Sequence, residues 1–485
     1  MKHCFKRIGA ALCAAALTLS LAACGGSEAA SSSKKPTNAQ PVNITVWTYY
    51  NGDQLESFNK LVEEFNNTVG KEQNITVEAD SQGSVNDLEA NVLAAAEGKV
   101  GASALPNIFS AYADTCYAVD QMGLLADLSG YLTDEEKSAY IENYLAEGDF
   151  DDNGSMKIFP VAKSTEILLM NDTDWQPFAA ATGASYDDLA TVEGLVAAAQ
   201  KYYEWTDAQT DTPDDGKALF GRDAMANYLL IGAKELGDTI FDVQQGKMTV
   251  GLSEKTARKL WDNYYVPFVK GWFAATGRFR SDDIKTGNIL GYVGSSSSAT
   301  FFPKQVMTSD TESHDIAMTV LPCPKFADGS KVVVQQGAGM AVTNSSEAEV
   351  EASVTFLKWI TQPEQNIEFA VGSGYLPVTH AADSMEAIEA SGLEMTDTMR
   401  DILTTAIDEV ETNELYTPKA FEGAAAARKV LEYGLSDKAA ADRATVAERM
   451  AAGESAADAE AEFLTDEAFE AWYQDILSQL QSYAG

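Results

Sequence analysis

Hydrophobic and polar residues recur along the chain with two different periods, and the two periods alternate. Residues 42–47 alternate apolar and polar side chains and are rich in β-branched residues, which predicts a strand. Residues 53–67 then place apolar side chains three and four positions apart, which predicts an amphipathic helix. The same succession returns twice, at 75–79 with 85–98 and at 104–109 with 114–125. Strands that alternate with helices indicate βαβ units, so the sequence predicts an α/β fold with mainly parallel sheets.

A second block of strands and helices follows a predicted turn at 151–154. It contains predicted strands at 165–170, 289–294, 316–321 and 338–342, and predicted helices at 187–205 and 347–360. The last hundred residues are rich in alanine and predicted to be helical. A single hydrophobic core stops growing at roughly 250–300 residues. A chain of 485 residues therefore predicts two lobes or domains.

The N-terminal segment predicts export and attachment to a membrane by lipid. A basic start precedes an apolar run at 8–21, which is shorter than the roughly 20 residues that a spanning helix needs. The Leu-Ala-Ala-Cys sequence that ends at Cys24 resembles the cleavage site of bacterial lipoproteins. We therefore predict a signal peptide at 1–23, lipid on Cys24 and a flexible tether at 24–41, with the protein on the extracytoplasmic face of the cell membrane. An ordinary secretory signal with a chance cysteine is the alternative.

Charge and cysteine content narrow the possible partners. The formal net charge is −39, which disfavours binding to nucleic acid and to anionic membrane surfaces. Once Cys4, Cys13 and Cys24 are set aside, Cys116 and Cys323 remain, and a disulfide between them is possible outside the cell. No cysteine or histidine cluster has the spacing of a zinc site. We expect no metal and no cofactor.

Two motifs suggest ion or phosphate binding but lack residues that such binding requires. Residues 149–154 match the start of a calcium loop, but Pro160 stands at the twelfth position, where a bidentate Glu is required. A plain turn is the better interpretation. The glycine pairs at 337–339 and 372–374 lack the frames of phosphate-binding loops. The serines at 295–298 are either a simple loop or a set of small donors for a polar ligand.

Aromatic residues next to polar ones at the ends of predicted strands are more informative. They are Trp47 and Tyr50 after the first strand, Tyr112 with Asp114 after the third, and Tyr375 in a late loop. Ligands of open α/β sheets bind outside the carboxyl ends of the strands. Aromatic rings can pack on the C–H faces of sugars while amides and carboxylates bind their hydroxyls. Packing in the core is the alternative for each of these rings.

Several motifs resemble those of family 1 extracellular solute-binding proteins, the lipoprotein receptors of ABC importers for sugars and glycerol phosphates. In chain order the markers are Ile44-Thr45-Val46-Trp47, Leu105-Pro106-Asn107-Ile108, Gly123-Leu124-Leu125-Ala126-Asp127-Leu128, Ile158-Phe159-Pro160, Leu168-Leu169-Met170-Asn171, Phe356-Leu357-Lys358-Trp359-Ile360 with Gln362-Pro363-Glu364, and Ser373-Gly374-Tyr375-Leu376-Pro377-Val378-Thr379. The resemblance implies a two-lobe fold like that of type II periplasmic binding proteins, with a hinge between the lobes. Lobe 1 would comprise 42–155 and 312–360, and lobe 2 would comprise 156–311 and 361–485.

The resemblance also implies a set of ligand contacts. Besides Tyr375, they are Tyr112, Asp114, Ser164, Thr165, Ser295, Ser296 and Gly337. Phe421 is also a candidate contact, and Trp47 and Tyr50 stay candidates because of their place after the first strand. The glycerol-phosphate-binding branch of the family has an arginine for the phosphate near the position of Phe421, where Lys419 or Arg222 would have to substitute. Because the guanidinium is missing there, the sequence favours a carbohydrate ligand, a neutral mono- or oligosaccharide.

The expected function is therefore a monomeric, lipid-anchored receptor that closes around a sugar and delivers it to the permease subunits of an ABC transporter, without catalysis. Three alternatives stay open at this point. They are a glycerol-phosphate receptor of the same family, a surface-anchored glycan-degrading enzyme, and an extracellular scaffold that has lost its ligand.

Overall fold

A computed structural model describes residues 40–244, 246–307, 309 and 311–485. The predicted signal peptide, Cys24 and nearly all of the predicted tether lie outside these residues. Within the described residues, no helix combines the length and the apolar composition needed to cross a bilayer.

The strands of the described chain are short and fall into two four-stranded sheets and three two-stranded ones. In chain order they are β1 Val42–Thr48, β2 Ile75–Ser81, β3 Ile108–Ala111, β4 Glu166–Asn171, β5 Phe220–Arg222, β6 Thr239–Gln244, β7 Lys247–Gly251, β8 Gly291–Ser295, β9 Gln305–Met307, β10 Ser313–Asp315, β11 Met318–Pro322, β12 Val332–Val334, β13 Gly339–Val342 and β14 Glu414–Tyr416.

Helices occupy most of the chain between the strands and nearly all of its C-terminal part. They are α1 Gly52–Asn67, α2 Val69–Gln73, α3 Val85–Ala96, α4 Ala113–Gln121, α5 Asp134–Ser138, α6 Glu142–Ala146, α7 Asp172–Thr182, α8 Val192–Asp207, α9 Met225–Glu235, α10 Glu254–Val269, α11 Arg280–Lys285, α12 Glu347–Ile360, α13 Pro363–Ser373, α14 Met385–Ala390, α15 Asp397–Thr412, α16 Ala424–Gly434, α17 Ser436–Ala451, α18 Ala456–Glu460 and α19 Asp466–Gln481. Short 3₁₀ helices lie at Tyr186–Leu189 and Ser296–Phe301.

The first sheet has the strand order β13-β3-β1-β2, and β1 runs parallel to both β2 and β3. Ile44 and Val46 of β1 are buried while Asn43 and Thr45 are exposed, as the alternating pattern predicts. Helix α1 buries its apolar stripe, including Phe58, against the same core. The predicted succession of strands and helices is therefore confirmed in this part of the chain.

The second sheet has the order β11-β4-β8-β5 and is mixed rather than mainly parallel. Strand β4 is antiparallel to both β8 and β11, and only β5 and β8 are parallel. All of β4 is buried, with Leu168 in one apolar cluster and Leu169 in another. A continuous apolar run thus indicates that both faces of a strand are buried, but it does not indicate the direction of the strand.

Two elements lie elsewhere than the predicted lobe ranges suggest. Strand β11 belongs to the second sheet, although 312–360 was assigned to lobe 1. Helix α13 packs beside the first sheet, where Phe369 contacts the rings of Tyr50 and Phe58, although 361–485 was assigned to lobe 2. The lobe boundaries themselves stay a prediction.

Three stretches of chain, here called the crossing segments, connect the parts built around the two large sheets. They are residues 160–165, 335–338 and 374–378. Backbone bridges pair Lys163 with Leu376 and Ser164 with Gln336, so the three segments lie side by side. The Lys163 ammonium is buried, where it pairs with Glu147 and donates to the carbonyl of Gly337 at 2.9 Å. A charge this deeply buried requires such partners.

Candidate functional site

A large open cleft lies where strands of both four-stranded sheets end. Its volume is about 1870 Å³, well above the roughly 300–1,000 Å³ of drug-sized ligand pockets. Tyr49 follows β1, Tyr112 follows β3 and Asp223 follows β5, while Ser295 is the last residue of β8. The carboxyl ends of the strands therefore position the lining side chains, as is typical of ligand sites in open α/β sheets.

The crossing segments form one surface of the cleft, here called the floor and consisting of Ser164, Gln336, Gly337 and Tyr375. Gly337 has a φ of +88°, and a Cβ atom at this position would lie 2.7 Å from the carbonyl oxygen of Ala162. Only glycine fits this backbone geometry. The Ser164 side chain is 3% exposed, and its Oγ has no hydrogen-bond partner. A buried hydroxyl without a partner in the floor is a position where a ligand can complete a hydrogen bond.

Tyrosines next to the floor supply neutral hydroxyl groups. The Tyr49 and Tyr375 hydroxyls lie 3.0 Å apart and share a hydrogen bond, and the Ala338 amide donates to Tyr49 Oη at 3.4 Å. Burial raises the pKa of Tyr49, of Tyr375 and of neighbouring Tyr112 above the usual value for a phenol. All three hydroxyls thus stay protonated near neutral pH and can both donate and accept hydrogen bonds.

A chain of paired polar groups lies beside the floor. Arg222 pairs with Glu166, and Asn227 donates from Nδ2 to Glu166 Oε1 at 2.9 Å and to Gln336 Oε1 at 3.1 Å. Arg428 donates to Asn227 Oδ1 at 2.6 Å. Glu166 compensates the charge of Arg222, and Lys419 pairs with Asp152 at the surface. The two cations considered as substitutes for a phosphate-binding arginine therefore both already have a carboxylate partner.

Asp223 places a carboxylate in the cleft. Its Oδ1 accepts from the backbone amide of Arg280 at 3.0 Å, and the Arg280 Nε lies 3.8 Å away. Burial raises the pKa of Asp223 to about 6, although Arg280 opposes this shift. A carboxylate in this environment gains from an additional donor, such as a sugar hydroxyl.

The rim of the cleft carries large side chains that are left exposed. The rim is defined here as Arg278, Phe279, Lys285, Phe301, Lys304, Met307 and Tyr433. Phe279, Phe301 and Tyr433 are 52%, 49% and 48% exposed. Within the described chain, these are the aromatic residues among the exposed large hydrophobic ones, and all three line the cleft. Exposed rings gathered in one place indicate a binding surface.

The structure brings five of the sequence-predicted site residues together in the cleft. They are Tyr112, Ser164, Ser295, Gly337 and Tyr375. Asp114 and Phe421 line a separate cavity of about 70 Å³, which shares Tyr112 and Gln336 with the cleft. Phe421 is buried against the ring of Phe241, with the centroids 5.3 Å apart. Its place is therefore explained by core packing.

Four other predicted residues do not line the cleft. Tyr50 is 1% exposed and packs among Phe58, Phe369 and Tyr375, while Trp47 packs against the apolar cluster around Phe109. The hydroxyl of Ser296 donates to the carbonyl of Gly374 at 3.1 Å, behind the floor. Thr165 is fully buried beside a cavity of about 20 Å³. Tyr50, Ser296 and Thr165 are thus buried within the protein, and Trp47 is partly buried.

Sequence reasoning missed Tyr49, Gln336, Asp223, Arg428 and the aromatic residues of the rim. Phe279 stands between two arginines in an otherwise polar stretch, and this unusual placement of an apolar ring was an available signal. Asp223 and Gln336 carry no local signal, because their position depends on how distant segments pack.

No group of metal-ligating side chains occurs in the part of the chain that the structure describes. Cys116 and Cys323 are not joined by a disulfide. Cys116 is buried and Cys323 partly buried.

Two large sheets, three crossing segments and a polar, aromatic cleft at the ends of the strands define the class of two-lobe binding proteins. A family profile described as "Bacterial extracellular solute-binding protein" matches residues 60–396. Because this match covers more than half of the chain, the protein belongs to this family of bacterial extracellular solute-binding proteins, which are binding proteins rather than enzymes. The resemblance read from the sequence motifs is thus confirmed, and the family places the protein on the extracytoplasmic side of the membrane.

Solved structures agree on the fold. The GacH receptor of Streptomyces glaucescens, studied with acarbose, matches with a TM-score of 0.66 and 16% identity over 92% of this chain and 100% of that one. The cyclic alpha-maltosyl-1,6-maltose binding protein of Arthrobacter globiformis gives 0.64 and 17% over 91% and 100%. UgpB of Mycobacterium tuberculosis, in complex with glycerophosphocholine, gives 0.63 and 17% over 92% and 100%. No curated protein sequence matches the chain.

Proposed function

We propose that this protein is the carbohydrate receptor of an ABC importer, which traps a mono- or oligosaccharide in the cleft and delivers it to the permease. The observation that carries the proposal is the composition of the cleft. Exposed aromatic rings stand at its rim, while hydroxyls and a carboxylate stand deeper inside. Sugars present apolar C–H faces and many hydroxyls, so both kinds of group find partners on one ligand.

The floor favours an uncharged sugar unit. The Ser164 hydroxyl, the Tyr375 hydroxyl and the Gln336 amide offer hydrogen bonds without net charge. Arg428, the nearest cation along the hydrogen-bond network, donates to Asn227 and lines the neighbouring cavity rather than the cleft, and Arg222 has Glu166 as its partner. A phosphate would need an unpaired guanidinium or ammonium group here.

Closure about the crossing segments is the proposed mechanism. A ligand that contacts both sides of the cleft has a higher affinity for the closed form, and this differential affinity is what drives closure. The covalent structure of the ligand stays unchanged. Lipid attachment at Cys24 is part of the proposal, since it would keep the receptor near its permease. We also propose that the receptor is a monomer.

A thermal-shift panel of monosaccharides, oligosaccharides, polyols and glycerol phosphates tests the proposal. A saccharide at 100 times its Kd should stabilise the protein by about 2.7 kcal/mol. If glycerol phosphates alone stabilise the protein, it is a glycerol-phosphate receptor of the same family and not a sugar receptor. Product formation from a glycan, abolished by one carboxylate substitution, would mean that the protein is an enzyme. A panel without any shift would favour the scaffold alternative.

The variant Ser164→Ala tests whether the floor of the cleft contacts the ligand. It removes a hydroxyl without a partner in the protein, so folding stability should change little while ligand affinity falls by roughly fivefold. Ser155→Ala, at a surface turn outside the cleft, is the control and should leave affinity unchanged. If the Ser164→Ala variant binds the ligand as tightly as the parent does, the floor is not part of the binding site.

A further inference from the structure

The small cavity beside the floor of the cleft is here called the side cavity. Its volume is about 70 Å³, and Tyr112 and Gln336 line both the side cavity and the cleft. Pockets that hold a whole small molecule usually have roughly 300–1,000 Å³. The side cavity therefore has room for a substituent of a ligand, and its shared residues place it next to a sugar ring on the floor.

Two side chains of opposite charge line the side cavity without an ion-pair partner. Asp114 lies in the first turn of α4 and Arg428 in α16, and among the described residues neither has an opposite charge within 4 Å. Asp114 Oδ1 accepts from the amide of Thr115 at 2.8 Å, and Arg428 donates to Asn227 Oδ1 at 2.6 Å. The second carboxylate oxygen can accept a further hydrogen bond, and the guanidinium has further N–H groups to donate.

The charges around the side cavity balance one another. Its lining contains two carboxylates and two cations, and of these Glu147 and Lys419 have ion-pair partners outside the lining. Glu89, also outside the lining, interacts electrostatically with both Asp114 and Arg428. Neither a net positive nor a net negative ligand group is favoured here. A neutral group that both donates and accepts a hydrogen bond fits the two remaining charges.

Apolar side chains form the rest of the wall. Half of the lining residues are apolar, and Leu230, Phe241, Val334 and Phe421 among them are buried. A hydroxyl group would leave this surface without an apolar partner, whereas a methyl group gains by covering it. The lining thus fits a small group that contains a donor, an acceptor and a methyl.

We propose that the side cavity binds the acetamido group of an N-acetylated amino sugar whose ring lies on the floor of the cleft. Asp114 accepts the N–H of this group, Arg428 donates to its carbonyl oxygen, and its methyl packs on the apolar wall beside Phe421. This assignment rests on the proposed function, because it names the class of sugar that the same receptor binds. An acetamido group carries no charge, in agreement with the uncharged floor.

Calorimetric titration with matched saccharides tests the assignment. The pairs are the N-acetylated amino sugars of glucose, galactose and mannose with the plain sugars, diacetylchitobiose with cellobiose, and N-acetyllactosamine with lactose. We expect at least one N-acetylated member to bind about tenfold more tightly than its plain counterpart. The preference should persist from about 0.05 M to about 0.5 M salt, because the added group has no net charge to be screened. A preference that disappears at high salt would contradict the assignment.

Variants locate the acetamido group. Asp114→Ala and, separately, Arg428→Gln should each weaken the N-acetylated ligand about fivefold and leave its plain counterpart within about twofold. Asp397→Ala is the matched control, because Asp397 also lies in the first turn of a helix, is exposed, and lines neither the cleft nor the side cavity. Melting temperatures show whether each variant is folded.

The outcomes separate this assignment from the proposed function. If both members of every pair bind equally, the side-cavity assignment is wrong while the sugar receptor stands. A preference for the N-acetylated member that both variants leave unchanged would also overturn it, since the acetamido group would then bind elsewhere. If no saccharide binds, the proposed function itself is overturned.

Discussion

The floor and the rim of the cleft differ in burial and in charge. The floor consists of backbone and uncharged side chains that are mostly buried, and the charges of Lys163 and Glu147 directly beneath it are paired. The rim consists of exposed aromatic rings and of exposed cations. Among the described residues, these cations form no ion pair within 4 Å. Changes in the backbone of the floor or in the ion pair beneath it should therefore affect folding as well as binding, whereas changes in the rim should affect binding alone.

Replacing Lys163 by Met should have the largest effect. The substitution leaves the buried Glu147 carboxylate without its cation, although Gln335 still donates to it at 2.8 Å. Breaking a buried pair in this way costs about 3–5 kcal/mol, measurable by urea unfolding. Lys419→Met breaks an exposed pair with Asp152 and should cost less than about 1 kcal/mol. Similar losses in both variants would contradict the special role of the floor.

Gly337→Ala comes next in size. A side chain here must adopt a φ of +88° and also meets the carbonyl of Ala162, so we expect a loss of about 1–3 kcal/mol in unfolding free energy. Gly123→Ala separates the two causes, because Gly123 has a φ of +73° and open space around its Cβ position. A loss at Gly337 no greater than at Gly123 would show that the contact with Ala162 does not matter.

Asp223→Asn tests a carboxylate that lies between floor and rim. The pKa of Asp223 is raised from 3.8 to about 6 in the folded protein, so the folded state holds its proton more tightly than the unfolded state does. The contribution of this group to stability is favourable at low pH and is lost as the pH rises from about 4 to 6. The Asn variant should therefore be more stable than the parent at pH 7.5, by up to about 3 kcal/mol, and lose this advantage near pH 3.5. An advantage that persists at pH 3.5 would assign the effect to something other than titration.

Phe279→Ala should leave stability nearly unchanged and weaken sugar binding. The ring is half exposed, so its removal should alter the free energy of unfolding by less than about 0.5 kcal/mol. Lost contact with a sugar face should weaken binding by roughly fivefold, or about 1 kcal/mol. Leu393→Ala, exposed outside the cleft, is the control. A clear drop in melting temperature for Phe279→Ala would place this ring among the structural residues.

Sequence patterns predicted the fold where periodicity carries the information. The alternating burial of β1 and the apolar stripe of α1 follow directly from side-chain geometry. The direction of β4 could not be predicted, because a strand buried on both faces looks the same in either direction.

The site was predictable only in part, for a similar reason. Tyr49 and Tyr50 are adjacent aromatic residues after the same strand, yet Tyr49 lines the cleft and Tyr50 lies in the core. Successive side chains of extended chain point to opposite sides, and which side faces the cleft depends on the packing of α1 and α13. Gln336 and Asp223 reach the cleft through contacts between distant segments, for which the sequence contains no local pattern.

The burial of the two cysteines affects how the protein reacts with oxidants outside the cell. Burial raises the pKa of Cys323 to about 12 and raises that of Cys116 well above its usual value. Because the thiolate is the form that reacts with oxidants and disulfides, both sulfurs should stay reduced in an oxidising environment. A cysteine introduced at the surface would then be the single reactive thiol of the described chain. A fluorescent label attached there would turn the receptor into a sensor of its own ligand.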